Sequence, residues 1–400
     1  MSIFKPSSPS PMGPSPRALA LIDYEDHDRG GHYGPYLIWF VREFSSRFEK
    51  LLVFTPNSER SKGFVSSGLP EIPGNVSFHP LPPGPRKLFF RAKRHPCRLS
   101  AIAQAAAGLA PGHRIHGFVM WGFDLLRNRA IAWERSGMPW ATLGNLSHVK
   151  RDSGGPWIKK ESGLERLCEN HPDCVSLMIW DHFVISANAR KLQWLSGYED
   201  CHVNPTSPLA ATIRQHTAGK FSIGCFGTLS GPRCLNEILP LTQKHPEIRF
   251  VFVGTLDRKR VNKELLPILD EKKPENILLV TGFQQEGDLN AGIEAVDAIF
   301  LDGRHYPLHS GIVTKALLLG KCAITPDANS WTRDMINRHQ VGFTYASHAQ
   351  DLIHAWEIWQ RSGGSERSRT IMQEQISPAR IAKCFDLVTK RLSSASQAGA

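Results

Sequence analysis

The sequence predicts an α/β protein built from two doubly wound domains. Short apolar runs that end at glycine or polar residues alternate with segments whose apolar residues recur every three or four positions. This pattern starts again after Asn204-Pro205. A chain of 400 residues is too long for one ordinary core and favours two domains of nearly 200 residues each. The predicted parts are a flexible tail at 1–16, a first domain at 17–205, a second domain at 206–377, and a closing helix with a frayed tail at 378–400.

The first domain is predicted to begin with a strand, a loop and a helix. Residues 17–24 form an apolar run, and apolar residues recur at helical spacing over 36–44 before a second strand at 51–54. The polar loop between them contains Asp28, Gly30, Gly31 and His32. The two glycines predict either a tight turn or a close approach of the backbone to a ligand. They do not form the Gly-x-Gly-x-x-Gly fingerprint of dinucleotide-binding proteins.

A second polar loop in this domain carries several groups capable of chemistry. It follows the apolar runs 117–124 and 140–143, which predict further strands, and it precedes another apolar run at 176–185. His148 and Asp152 lie in this loop, at the carboxyl end of a strand, where ligands of parallel sheets bind. Alternatively, His148 is a structural histidine, and Asp152 is a helix-capping or solvated acid.

The segment 82–102 is strongly basic and has no acidic residue. Its basic and aromatic core consists of Arg86, Lys87, Leu88, Phe89, Phe90, Arg91 and Arg94. On a helix, the apolar and basic residues would occupy different sides, as expected of a helix in an anionic headgroup layer. Nucleic-acid binding and a solvated basic face over an apolar core are the alternatives.

The second domain is predicted to repeat the strand, loop and helix pattern. Strands are predicted at 221–226, 248–253, 277–280, 298–301 and 322–325, followed by a short strand at 342–345. Residues 227–233 are predicted to form the first loop of this domain, and a helix follows at 235–244. Further helices are predicted around 289–295, 352–361 and 379–392.

The unit from Asp297 to Asp327 organises this second domain because its helix opens with Ser310-Gly311. Such a helix offers unpaired N–H groups, a hydroxyl and the positive end of its dipole to an anion. The sequence therefore predicts a phosphate site here. The alternative is that Ser310 only caps the helix and Gly311 only allows close packing.

The composition favours a soluble globular protein with an anionic partner. Hydrophobic residues make up 41% and charged residues 21% of the chain, and the formal net charge is +11. Nucleic acid, an anionic membrane surface and phosphorylated substrates are the candidate partners. The eight cysteines contain no Cys-x-x-Cys pair, so we expect reduced, mostly buried thiols and no zinc site. The N-terminus lacks the apolar core of a signal peptide, which predicts a cytoplasmic protein.

The two similar halves and the closing helix resemble glycosyltransferases of the GT-B fold. The resemblance is carried mainly by FGTLSGPRCLNEIL, IRFVFVG, ILLVTGF and HSGIVTKALLLGKCAITPD in the second half. It implies two Rossmann-like domains facing a central cleft, with the nucleotide-sugar donor bound by the second domain. Ser310-Gly311 especially resembles transferases that build bacterial exopolysaccharides and other surface glycans on lipid-linked acceptors.

The resemblance implies a set of donor-binding residues and no metal or other cofactor. The matching positions are Gly227, Thr228, Arg233, Gly282, Phe283, Ser310, Gly311, Ile312 and Lys315. The large retaining branch of this fold has two glutamates where this chain has Pro307 and Lys315, and an arginine where it has Thr228. These departures favour an inverting enzyme.

An inverting transfer would need a base that takes the proton of the acceptor hydroxyl. Asp152, His148, His32 and Asp28 are the candidates. The expected function is therefore transfer of a sugar to a lipid-linked or glycan acceptor at the inner face of the cell membrane. A nucleotide-sugar epimerase or glycan phosphorylase of the same fold, or a non-enzymatic glycan-binding or nucleic-acid-binding module, are the alternative functions.

Overall fold

The computed structural model describes residues 18–23, 33–82, 99–121, 140–144, 174–178, 192–194, 201–270, 273–304, 310–328, 330–345 and 351–398. These residues divide into two compact units. The C-terminal unit contains the described residues from 201 to 376, and the N-terminal unit contains those from 18 to 194 and those from 377 onward. The domain limits of 17–205 and 206–377 stay predictions.

The N-terminal unit contains, among its described residues, a sheet of seven parallel strands. The strands are β1 (Ala18–Asp23), β2 (Lys50–Thr55), β3 (Val76–Pro80), β4 (Ile115–Trp121), β5 (Trp140–Gly144), β6 (Cys174–Met178) and β7 (Leu192–Trp194). Their order in the sheet is β3-β2-β1-β4-β5-β6-β7, and each pairing is parallel. The strand order reverses between β1 and β4, which is the mark of a doubly wound sheet.

The C-terminal unit repeats this arrangement with six strands in its described part. They are β8 (Ser222–Ser230), β9 (Arg249–Asp257), β10 (Ile277–Thr281), β11 (Ala298–Phe300), β12 (Cys322–Pro326) and β13 (Gly342–Tyr345). Their order is β10-β9-β8-β11-β12-β13, again with parallel pairings. The predicted fold class, α/β with two doubly wound sheets, is therefore confirmed.

Helices connect these strands in both units. Those of the described residues are α1 (Tyr33–Ser45), α2 (Ser58–Gly68), α3 (Leu99–Leu109), α4 (Pro208–Thr217), α5 (Asn236–Lys244), α6 (Leu266–Leu269), α7 (Glu286–Glu294), α8 (Gly311–Leu318), α9 (Trp331–His339), α10 (Leu352–Arg361), α11 (Gly364–Gln375) and α12 (Pro378–Ala398). None of them is long and apolar enough to cross a membrane.

Apolar patterning explains why these elements form. All six residues of β1 are fully buried, as expected of a strand that is covered on both faces of a parallel sheet. On α1, Leu37, Phe40 and Phe44 are also fully buried, and their spacing of three and four residues places them on one face. The helix α12 belongs to the same unit because its Phe385 ring lies 4.9 Å from the Phe44 ring.

The prediction that residues 227–233 form a loop was wrong for residues 227–230. Strand β8 continues to Ser230, because Gly227 to Ser230 pair in register with Gly254 to Asp257 of β9. Gly227 has a φ of +90°, which allows the strand to bend there without ending. A π-helical turn, Gly231–Leu235, follows and leads directly into α5.

Several elements were not predicted because their sequences lack a clear apolar period. Helix α11 has the polar sequence GSERSRTIMQEQ, and its buried residues include Ser368, Met372 and Gln375, so polar and small side chains form much of its inner face. Helix α4 begins after Ser207, which accepts a hydrogen bond from the Ala210 N–H.

Candidate functional site

The candidate site lies at the carboxyl edge of the C-terminal sheet, where the strand order reverses. A reversal of this kind leaves a crevice between two neighbouring strands, here β8 and β11. A pocket opens at this position, lined by Cys225 and Phe226 of β8 and by Phe300 of β11. Arg233 and Ser310 complete its polar side. Ile312 also lines the pocket, so the structure brings together three residues that the sequence predicted as donor-binding.

Ser310 is the residue before the first turn of α8, and it does not cap this helix. Its side chain is 1% exposed, it makes no capping hydrogen bond, and its Oγ has no hydrogen-bond partner among the described residues. Two other serines that directly precede a helix, Ser207 and Ser330, each accept a hydrogen bond from a backbone N–H. Because a buried hydroxyl without a partner costs about 1–3 kcal/mol, the Ser310 hydroxyl is a candidate ligand-binding group.

The backbone of α8 adds hydrogen-bond donors to this hydroxyl. The first intrahelical bond runs from the Thr314 N–H to the Ser310 carbonyl, at 3.0 Å. The N–H groups of Gly311 and Ile312 precede that bond and belong to the unpaired first turn of a helix. Such a turn attracts anions through its N–H groups and its dipole. Ser310, Gly311 and Ile312 therefore form one donor set.

Arg233, a cationic residue, also lines the pocket. It lies in the π-helical turn after β8, where the Asp302 N–H donates to the Arg233 carbonyl at 2.8 Å. The turn is tightly packed, since a Cβ atom on Gly231 would lie 2.0 Å from the Arg260 carbonyl oxygen. This packing fixes the backbone from which the guanidinium extends.

Cys225, one of the two cysteines that line the pocket, is a neutral thiol. Burial raises the pKa of Cys225 well above its ordinary value, and a hydrogen bond with Cys234 raises this pKa further. Both side chains are almost fully buried. Cys201, Cys225, Cys234, Cys322 and Cys384 are free cysteines, and no group of three or more metal-ligating side chains occurs in the described part of the chain.

Three glycines without side chains lie next to one another near the carboxyl edge of the sheet. They are Gly227 in β8, Gly254 in β9 and Gly282 directly after β10, with φ values of +90°, +139° and +113°. The Gly282 N–H donates to the Gly254 carbonyl at 2.9 Å. We call this row the glycine lane. It leads from the pocket to Phe283, whose side chain is 71% exposed although it is aromatic.

Lys315 points into the protein and forms an ion pair with Glu286. Its side chain is 6% exposed, whereas that of Glu286 is 42% exposed. Glu286 lies in the first turn of α7, 29 residues before Lys315 in the chain. The contact of Lys315 with a diphosphate stays a prediction, as does the role of the exposed Thr228.

A polar network beside the pocket was not predicted from the sequence. The Arg304 guanidinium binds Asp302, with Nε and Oδ1 3.1 Å apart, and also pairs with Glu237. The Tyr345 hydroxyl lies near this network, is buried, and has no hydrogen-bond partner in the described residues. Burial raises the Tyr345 pKa far above its ordinary value, so the group is a neutral phenol. Asp302, which directly follows the apolar run 298–301, was the signal in the sequence that could have revealed this network.

The other predicted site residues lie outside the described residues. These are the base candidates Asp152, His148, His32 and Asp28, the loop glycines Gly30 and Gly31, and the membrane-binding residues Arg86, Lys87, Leu88, Phe89, Phe90, Arg91 and Arg94. Their roles stay predictions.

Solved structures share the architecture of this chain at low sequence identity. The structure of HepE from Anabaena in complex with UDP matches with a TM-score of 0.64, 15% identity, and coverage of 92% of this chain and 98% of HepE. A glycosyltransferase from Rickettsia africae matches with a TM-score of 0.62, 11% identity, and coverage of 94% and 98%. Sucrose-phosphate synthase from Thermosynechococcus elongatus matches with a TM-score of 0.53, 12% identity, and coverage of 95% and 98%.

No protein-family model and no curated protein matches the sequence. The structural matches extend over nearly the whole of each chain, and they agree with the two reversing parallel sheets. The chain therefore has the GT-B fold of these glycosyltransferases, with two Rossmann-like units.

Proposed function

We propose that this protein is a glycosyltransferase that takes a sugar from a nucleotide-diphosphate donor. The observation that carries the proposal is the buried, unpartnered Ser310 hydroxyl at the start of α8. Arg233 lines the same pocket, and the first-turn N–H groups of α8 follow Ser310 directly. HepE, which has the same fold, has been crystallised with UDP and with UDP-glucose. These facts support a diphosphate as the ligand of this pocket.

The proposed reaction is a metal-independent, inverting transfer. The acceptor hydroxyl oxygen forms a bond to the sugar carbon as the bond between that carbon and the phosphate oxygen breaks. The electrons of the broken bond remain on the leaving nucleoside diphosphate. Donors that already point at this developing charge stabilise the transition state. Ser310, Arg233 and the amides of Gly311 and Ile312 are proposed to do this. Asp152, His148, His32 or Asp28 would accept the proton of the acceptor hydroxyl.

The Ser310→Ala substitution tests whether the Ser310 hydroxyl binds a ligand or caps helix α8. In the unliganded protein, we expect Tm to stay unchanged or to rise, because the variant removes an unsatisfied buried group. The control is Ser330→Ala, which removes a hydroxyl that accepts the Arg333 N–H at 3.2 Å and should cost about 1 kcal/mol. If both variants lose the same stability, Ser310 is a cap.

The donor is tested by thermal unfolding with UDP-, GDP-, ADP- and dTDP-sugars in buffer with EDTA. A ligand at 100 times its Kd stabilises the folded protein by about 2.7 kcal/mol, which corresponds to a Tm increase on the order of 5–10 °C for the C-terminal unit. In Ser310→Ala the shift should shrink, because a hydrogen bond to a charged phosphate contributes about 1.5–3 kcal/mol. An absence of stabilisation by all donors contradicts the proposal.

The proposed acceptor is a lipid-linked molecule or a glycan at the cytoplasmic face of the cell membrane. The support is the basic and aromatic sequence of 82–102, because each basic group near an anionic surface contributes about 1 kcal/mol. A role in synthesis of bacterial exopolysaccharide or other surface glycans follows from such an acceptor, and it belongs to the same proposal.

Vesicle sedimentation tests this membrane proposal. We expect binding to vesicles containing phosphatidylglycerol and none to neutral phosphatidylcholine vesicles. Replacing Arg86, Lys87, Arg91 and Arg94 with glutamine should weaken binding on the order of 1000-fold. The control variant replaces four exposed cations of the C-terminal unit, Lys244, Lys259, Arg260 and Lys263. Equal losses in both variants would show that only the net charge matters.

A further inference from the structure

Cys225 and Cys234 form a pair of thiols in the wall of the proposed diphosphate pocket. Cys225 lies in β8, and Cys234 lies in the π-helical turn that follows this strand. Both side chains line the pocket, and both are almost fully buried. The two thiols hydrogen-bond to each other, and the Cys234 Sγ also lies 3.9 Å from the Ser230 carbonyl oxygen. The two sulfur atoms therefore face each other at the pocket.

The contact between the two sulfur atoms distinguishes this pair from cysteines that only fill space. A buried free cysteine usually serves as a small apolar side chain, and the apolar cluster around this pair includes Leu229, Leu235 and Phe300. Here, however, two free thiols meet beside an opening through which a small solute can reach them. In cytoplasmic proteins, disulfides that form transiently are usually catalytic or redox-sensing.

A covalent bond between these sulfur atoms would displace the turn that carries Arg233. The sulfur atoms of a disulfide are about 2.05 Å apart, which is much closer than two thiols that only hydrogen-bond. Cys225 is held in place because β8 pairs with β9 on one side and with β11 on the other. Cys234 must therefore move towards Cys225. Arg233 directly precedes Cys234, so its backbone moves with it, away from the hydrogen bond that the Asp302 N–H donates to it.

We propose that Cys225 and Cys234 are a redox modification site, at which hydrogen peroxide forms a disulfide that weakens binding of the donor diphosphate. The inference rests on the proposed function, since it assumes that a nucleoside diphosphate occupies this pocket. Two effects act together. The displaced turn withdraws the Arg233 guanidinium from the phosphates, and the shifted Cys234 changes the shape of the pocket wall.

The oxidation takes place in two steps. One cysteine loses its proton, and its sulfur attacks an oxygen of the peroxide. The O–O bond breaks, a sulfenic acid forms, and the departing hydroxide takes up a proton to become water. The second sulfur then attacks the sulfenic sulfur, and a second water leaves. Two thiols and one peroxide thus give one disulfide and two waters, and the two electrons that the sulfurs lose reduce the peroxide.

Peptide mapping of the full chain tests whether this disulfide forms. The reactive form of a cysteine is the thiolate, and burial raises the pKa of Cys225, so the incubation with hydrogen peroxide extends over hours. Trypsin separates the two cysteines, because it cleaves after Lys220, Arg233 and Lys244. We expect peptides 221–233 and 234–244 to be linked after oxidation and separate after treatment with dithiothreitol. If both cysteines remain thiols, or if each pairs with another cysteine, the inference fails.

Calorimetric titration with UDP, GDP, ADP and dTDP tests the effect on binding. The oxidised wild type should bind its ligand about 10- to 100-fold more weakly than the reduced protein, because a hydrogen bond to a charged phosphate is lost. Dithiothreitol should restore the affinity. In Cys234→Ala, whatever its affinity in the reduced form, peroxide should cause no further loss. If this variant does not fold, Cys225→Ala takes its place.

The matched control is Cys322→Ala. Cys322 is also a fully buried free cysteine, but it begins β12 and so lies at the amino edge of the sheet, away from the pocket. This variant should lose affinity on oxidation as the wild type does. If Cys234→Ala and the wild type lose affinity equally, oxidation acts elsewhere in the chain, and the inference fails.

The possible results distinguish this inference from the function on which it rests. If the reduced wild type binds a nucleoside diphosphate, and the linked peptides form without any loss of affinity, the inference fails and the proposed function stands. If the reduced wild type binds none of the four nucleoside diphosphates, both proposals fail.

Discussion

Replacing Phe385 with alanine is expected to destabilise the N-terminal unit by about 3–5 kcal/mol. The Phe385 side chain is fully buried, and its ring centroid lies 5.2 Å from Trp39 and 4.9 Å from Phe44. Edge-on aromatic contacts of this kind contribute beyond the area they bury. The Arg47 guanidinium also lies over this ring, at 5.7 Å. The substitution would therefore leave a cavity where α12 meets α1.

Hydrogen exchange under increasing urea measures this effect in each unit separately. Amides of α1 should lose protection at lower urea in Phe385→Ala, whereas those of α7 should be unchanged. The control is Leu109→Ala in the same unit, because Leu109 is 36% exposed and its truncation should cost less than about 1 kcal/mol. Equal losses in the two variants would show that α12 contributes little to this core.

Replacing Gly254 with alanine is expected to destabilise the C-terminal unit by about 3 kcal/mol or more. Its φ of +139° is strained for any residue with a side chain. A Cβ atom there would also lie 1.8 Å from the Gly227 carbonyl oxygen. This oxygen belongs to the backbone of a central strand, so no flexible side chain can move away. The two strands would have to separate at the carboxyl edge of the sheet.

The measurement is the thermal unfolding of Gly254→Ala with and without the best-stabilising donor. We expect a lower Tm and a smaller shift on addition of the donor, because the glycine lane is distorted. The control is Gly63→Ala on the exposed side of α2, where a Cβ atom would have no neighbour within 4 Å. This change should stabilise the helix by about 0.5–1 kcal/mol. A wild-type Tm for Gly254→Ala would refute the proposed crowding.

The strands and several helices could be predicted because apolar spacing determines them. Strand β13 and helix α10 occupy the residues expected from the sequence, Gly342–Tyr345 and Leu352–Arg361. Helix α11 could not be predicted in this way, since Ser368 and Gln375 contribute to its buried face. The extension of β8 past Gly227 depends on its pairing with β9, and strand register is not visible in a single sequence.

In the candidate site, too, some features could be predicted from neighbouring residues, whereas others depend on contacts between residues that are distant in sequence. Ser310 before a helix predicted an anion site, but only the structure shows that its hydroxyl leaves the helix uncapped. The direction of Lys315 was not predictable, because a lysine within a helix usually reaches solvent. Its partner Glu286 lies on another helix. Residues that are distant in sequence come together only through the strand order and the helix packing.

Calorimetric titration of the full chain with UDP, GDP, ADP and dTDP is the most direct test of the central claim. The proposed diphosphate pocket at Ser310 and Arg233 predicts that at least one of these ligands binds with one site per chain. It also predicts that inorganic pyrophosphate competes for that site, and that Ser310→Ala binds the same ligand more weakly. Failure of all four nucleoside diphosphates to bind the folded wild-type protein would contradict the account.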